Sequence, residues 1–110
     1  MAIGDKRLIE LARGIASIQP VEREAACGTV TDWITSFDAR EVGLLAALLA
    51  SAAAQEEAPT CRESQLHALV ELVDTGFVSS AHVMPLWQVD RDGLGITEAE
   101  YLDYLSDELR

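Results

Sequence analysis

Aromatic side chains make up only 5% of this 110-residue chain, so its core cannot rest on large rings and must be filled by Leu, Ala, Val and Ile. That palette favours helices, because Ala and Leu lose least freedom on entering one. Basic residues are scarce as well: 8 Lys and Arg stand against 19 Asp and Glu, a formal net charge of −11. Such a balance repels phosphate, which argues against nucleic acid and anionic membranes as partners and in favour of a basic protein. There are two cysteines, Cys27 and Cys61, and no Cys-x-x-Cys pair. Buried free thiols in a reducing compartment are expected, with a disulfide as the alternative. The two histidines, His67 and His82, lack a second histidine at metal-ligand spacing, so no zinc site is indicated. Gly-x-Ser-x-Gly, a phosphate-cradling glycine loop and His-Glu-x-x-His are all missing, which points away from an enzyme and implies no cofactor. The N-terminal run MAIGDKRLIELARG has no apolar core of the signal-peptide kind, and residues 42–54 are too short a stretch to span a bilayer. A cytoplasmic protein is the expectation.

Hydrophobic residues reach 49%, enough for one continuous core over residues 1–110 as a single domain. Their spacing is helical throughout, and no segment alternates long enough for a strand. The first helix is expected to start at Asp5 as N-cap, carry Leu8, Ile9, Leu11, Ala12, Ile15 and Ala16 as its apolar stripe, and stop near Gln19-Pro20. A second runs from Pro20 to Phe37 through Ala26, Cys27, Val30 and Trp33. Asp38 and Glu41 form a capping box for a third, whose sequence VGLLAALLASAAA is apolar on nearly all sides and belongs in the middle. Thr60 with Glu63, and Thr97 with Glu100, read as two further capping boxes. The fourth helix is expected to end at Thr75-Gly76, with Gly76 as a left-handed C-cap. Ser79 or Ser80 caps a short helix through Val83, Leu86 and Trp87 that Pro85 must shorten or bend.

Shifting the second and third helices by 39 residues aligns Cys27 with Leu66, Val30 with Leu69, Ile34 with Val73, Leu44 with Val83 and Leu48 with Trp87. Only the apolar register repeats, but two helices per unit of this period are typical of HEAT-type arrays. The expected fold is all-α, with five to six antiparallel helices stacked as HEAT-like helical hairpins.

The loop from Asp90 to Gly95 invites comparison with a calcium-binding EF-hand. With Gly95 at the sixth position, Leu94 and Tyr101 fall where oxygen ligands are required, so the spacing fails. A more telling feature is charge. Seven acids lie between Asp90 and Arg110 against two arginines. Asp107 and Glu108 sit near the end of the last helix, where they oppose its dipole. Tyr101 and Tyr104 are interleaved with them, and tyrosine is a frequent interface anchor.

The run CRESQLHALVELVDTG, followed by a short helix and EYLDYL, resembles a family of small actinobacterial helical proteins. The segments AAC, DWITSFD and REVGLLAALLA extend the likeness over most of the chain. That family is similar to the HEAT-like immunity proteins that accompany polymorphic or contact-dependent toxins. The resemblance implies a cytoplasmic antitoxin that binds and occludes a cognate toxin domain, which the net charge of this chain suggests is basic, and it assigns no residue a role. On charge and helix position, the candidate contacts are Asp32, Glu71, Asp74, Asp90, Asp92, Asp103, Tyr104 and Asp107. The alternative is a non-catalytic adaptor or structural interaction module.

Overall fold

Helix starts in this chain are set by prolines and by carboxylates that find unpaired amides. In a computed structural model describing residues 1–110, five α-helices span Asp5–Ile15 (α1), Pro20–Asp32 (α2), Ala39–Gln55 (α3), Pro59–Val73 (α4) and Ile96–Leu109 (α5). Three 3₁₀ segments lie between them, Ile34–Ser36, Ser80–Gln88 and Arg91–Gly93, and the fold is all-α. Pro20 and Pro59 each occupy the first turn of their helix, where a missing N–H costs nothing. α3 opens on the expected capping box: Asp38 Oδ1 accepts from the Glu41 N–H at 2.8 Å, and Glu41 Oε1 accepts from the Asp38 N–H at 2.9 Å. Glu41 is wholly buried and also accepts from the N–H groups of Ile3 and Gly4, which ties the N-terminal segment to the start of α3.

Several boundaries differ from the sequence expectation. Pro59 starts α4 early, so the N-cap is Ala58, and Thr60 and Glu63 lie inside the helix rather than capping it. α5 begins at Ile96, and Glu98, not Glu100, reaches back to take the Gly95 N–H at 2.8 Å. Gly4 rather than Asp5 is the N-cap of α1. α2 ends at Asp32, short of Phe37. Near that end the Thr29 and Thr31 hydroxyls donate back to the Ala25 and Gly28 carbonyls, bonding that loosens a helix. The segment around Pro85 is 3₁₀ rather than α, and it breaks at Val83 (φ −114°, ψ 19°). Gly76 closes α4 at φ +87°, as expected.

The helices form two layers. α1 packs on α2 and α3, α2 on α4, α3 on α4 and on Ser80–Gln88, and α4 on α5. One layer therefore holds α1, α3 and Ser80–Gln88, and the other holds α2, α4 and α5. The α1–α2 and α3–α4 hairpins stack side by side, with Ser80–Gln88 packed on α3 and α5 packed on α4. Extents of 38 × 30 × 19 Å fit a slab two helices thick. Leu45, Leu49, Leu69, Leu72, Leu86 and Leu105 are completely buried between the layers.

The 39-residue register holds between α2 and α4, where Cys27, Leu66, Val30 and Leu69 all enter the core. It fails between α3 and Ser80–Gln88: Leu44 and Leu48 are 44% and 37% exposed, whereas Val83 is buried. A 3₁₀ segment turns its side chains every three residues and cannot follow an α-helical stripe. α3 approaches this segment so closely that a β-carbon on Gly43 would lie 2.9 Å from His82 Nε2. Both cysteines are free and buried. Burial pushes the Cys27 thiol up to about 12 and the Cys61 thiol up to about 11. No helix is long and apolar enough to cross a membrane.

Candidate functional site

Charge is divided between the two layers. α2 contributes three acids, α4 two and α5 five, against two bases, Arg23 and Arg62. Neither arginine offsets the outward surface, because both are turned to carboxylates at the helix junctions. Arg23 Nε and Nη2 each lie 2.7 Å from an oxygen of Glu56. Arg62 Nε donates to Glu98 Oε1, while Arg62 Nη1 donates to the Glu56 carbonyl at 3.0 Å. α1, α3 and Ser80–Gln88 carry four bases against three acids, one of which is the buried Glu41. The slab thus has one strongly acidic broad face and one close to neutral.

The paired arginines act on their partners' acidity. The Arg23 hydrogen bonds hold Glu56 down at about 2, against the opposing effect of burial. Burial pushes Glu98 upward, but hydrogen bonds from Arg62 and the Gly95 N–H, with the Arg62 charge, outweigh it and leave the group lowered. Glu56 also accepts from Gln65 Nε2 at 2.8 Å and from the Ala58 N–H at 3.2 Å. Gln65 Oε1 is buried without a partner. Arg23–Glu56 links α2 to the α3–α4 turn, and Arg62–Glu98 links α4 to α5. Together they fix the three helices that display the acids.

Seven of the eight sequence candidates lie on or beside this face by element. Asp32 ends α2, and Glu71 and Asp74 lie at the end of α4. Asp103, Tyr104 and Asp107 belong to α5, and Asp92 lies in the turn before it. Asp90, the eighth, caps that turn and accepts from the Asp92 N–H at 3.0 Å. The structure brings some of them together: the Tyr104 hydroxyl donates to Asp74, joining α5 to α4, and this bond raises the tyrosine to about 12. Asp103 is paired with Arg91, and Glu71 lies 3.5 Å from His67. Asp32, Asp92 and Asp107 are exposed, and their carboxylates make no hydrogen bond or ion pair.

Sequence reasoning missed the centre of the face. Glu24 of α2, Glu63, Ser64 and His67 of α4, and Tyr101 of α5 line an open cleft of about 330 Å³ at the junction of the three helices. The His67 and Tyr101 rings lie 5.6 Å apart, tilted by 39°. The signal was legible in part. Glu63, His67 and Glu71 recur every four residues, a spacing that places them in one row along α4. Glu24 and Tyr101 join that row only through the packing of α2 and α5. The cleft is polar, with the His67 and Tyr101 rings and two carboxylates, Glu24 and Glu63, in its walls, which suits a cationic side chain. No three His, Cys, Asp or Glu side chains converge as a metal-ligand set, and the Asp90 loop is a single 3₁₀ turn closed by its own backbone. The chain matches no family model, no curated protein and no solved structure.

Proposed function

We propose that the protein is a binding module whose α2–α4–α5 face docks on a basic protein, and that the partner is a toxin domain which it neutralises by covering it. The observation that carries this reading is the division of charge, with nine acids on one layer besides the buried Glu98 and both arginines of that layer held in internal pairs. A broad face of one sign on a small rigid slab steers an oppositely charged partner and accelerates the encounter. Tyr101 and Tyr104 supply rigid amphipathic contact area among the acids, the kind of residue that anchors interfaces. The identification of the partner as a toxin draws on the resemblance of CRESQLHALVELVDTG and EYLDYL to immunity proteins.

The experiment is a binding measurement against a basic toxin domain, with the products of the genes flanking this one as the first candidates. Tight binding is expected, with an association rate that falls at least about tenfold between low and high salt. Absence of binding removes the toxin as partner. Tight binding at a salt-independent rate removes the acidic face as the docking surface. An adaptor role is the second reading, and the two exposed leucines of α3, on the opposite layer, favour it.

A further inference from the structure

Glu24 and Glu63 each follow an arginine in sequence, and each of those arginines is turned away from it. Arg23 is held on Glu56 and Arg62 on Glu98, at the helix junctions. The cations nearest along the chain are thus committed elsewhere, and neither Glu24 nor Glu63 takes part in any ion pair of the molecule. The two carboxylates stand on α2 and α4 in the walls of one open cleft of about 330 Å³, with Thr60, Ser64, His67 and Tyr101 completing the lining and no lysine or arginine in it. The Ser64 hydroxyl donates to the Thr60 carbonyl at 3.2 Å, so while it does so it offers a guest only acceptor lone pairs. His67 and Tyr101 are half-buried, with ring centroids 5.6 Å apart. The cleft therefore combines a concavity, ring surface and acceptors from two helices, and it holds no cation of its own.

We infer that this cleft seats one arginine side chain of the protein that docks on the α2–α4–α5 face. The inference rests on the reading of that face as the docking surface, and it names the group that anchors the partner there. Charge selects a cation, since a phosphate or carboxylate guest would meet two carboxylates of its own sign. Geometry selects a guanidinium among cations. Packed helices lie about 8–10 Å apart, so carboxylates reaching in from α2 and α4 can meet donors on two edges of one flat group. An ammonium is a compact point charge that keeps its water in so open a place, and it lacks that fork of donors. The rings add to the preference, because a guanidinium stacks on aromatic faces as well as being drawn to them by charge. Free arginine brings a carboxylate that Glu24 and Glu63 repel, so the guest is a residue within a chain. The pairs Arg23–Glu56 and Arg62–Glu98 hold α2, α4 and α5 in register before anything binds, which lowers the cost of ordering the cleft around its guest.

NMR titration of the full chain with the peptide acetyl-Gly-Arg-Gly-amide at physiological salt tests this. Saturable shifts are expected, largest at His67 and Tyr101, with a dissociation constant in the millimolar range. The matching lysine peptide should bind at least about fivefold more weakly. A citrulline peptide, which keeps the shape without the charge, should bind no more tightly than the lysine one. Glu24→Gln, Glu63→Gln and Tyr101→Leu should each weaken the arginine peptide at least about threefold. Tyr101→Leu keeps apolar bulk against the core and removes the ring, and Tyr101→Phe, which retains the ring, should keep the affinity. Glu108→Gln, the same loss of charge elsewhere on α5, should stay within about twofold of wild type. Shifts that fail to saturate, equal binding of the arginine and lysine peptides, or binding that Glu63→Gln and Tyr101→Leu leave intact overturns the inference. A basic toxin that binds those two variants as tightly as wild type also overturns it, while leaving the acidic face as the docking surface. An arginine peptide seated as described, in a chain that binds no toxin, upholds the cleft and removes the toxin reading alone.

Discussion

Arg23 and Glu56, 33 residues apart in the chain, meet in a two-pronged contact in which Nε and Nη2 each lie 2.7 Å from a separate carboxylate oxygen. The side chains are 18% and 4% exposed, so the pair is mostly withdrawn from water. A charge left behind in such a place is costly, which makes the loss of one partner worse than the loss of both. Glu56→Gln is expected to lower the unfolding free energy by about 2 kcal/mol or more in urea titration. Replacing Arg23 by Met in that background should recover part of the loss. Additive single-mutant effects would show that the two groups do not act as a unit.

The same contact sets an acid sensitivity. Glu56 is held at about 2 in the folded chain, below its ordinary value of 4.5, so the unfolded chain binds more protons between those limits. Stability from this group is complete above about 4.5 and is lost as pH falls toward about 2. Glu98, also lowered, adds a loss of the same sign. Thermal melts of wild type should therefore drop steeply with acid over this window, and Glu56→Gln should flatten the slope. An unchanged slope would remove Glu56 as a source of the acid sensitivity.

Gly43 marks the closest approach of α3 to the 3₁₀ segment. A β-carbon there would press on His82 Nε2 at 2.9 Å, and the ring cannot simply swing away while its Nδ1 accepts from the Ser79 N–H at 3.0 Å. Gly43→Ala gains helix propensity but forces this contact apart, and a net destabilisation of about 1 kcal/mol or more is expected. The pairing of Gly43→Ala with His82→Ala relieves the clash, so the double variant should melt above the single Gly43→Ala.

Leu69 and Leu44 separate the core from the open side of α3. Leu69 is fully buried, and Leu69→Ala is expected to cost about 2–5 kcal/mol through lost burial and an unfilled cavity. Leu44 is 44% exposed, and Leu44→Ala should change the stability by less than about 1 kcal/mol. Equal effects at the two sites would mean that α3 is covered on all sides.

Local chemistry was the legible part of this fold. Asp38 and Glu41 satisfy amides within one turn of themselves, and the sequence showed their capping box before any packing was known. The same reading at Thr60 and Thr97 placed the caps wrongly, since Pro59 and Gly95 moved the helix starts upstream: α4 opens without a side-chain cap, and at α5 Glu98 takes the Gly95 N–H. The apolar rows of α2 and α4 were legible because both helices face the core along one stripe. α3 was not, because a sequence apolar on every side does not say which side its neighbours leave open. The acids of α5 were visible as a run, but the cleft between Glu24, Glu63 and Tyr101 exists only where three helices meet. The two buried ion pairs had no signal at all: charges more than thirty residues apart give no local periodicity.

Cys27 and Cys61 have a use that their burial creates. Exposed by 2% and 1% respectively, with both thiols raised well above neutral pH, they are shielded from alkylating reagents in the native fold and become reactive when α2 and α4 part. Labelling by a thiol-specific dye is therefore a built-in stopwatch for breathing motions of this hairpin pair. It runs without any engineered probe, and anything clamped across α2, α4 and α5 should slow it.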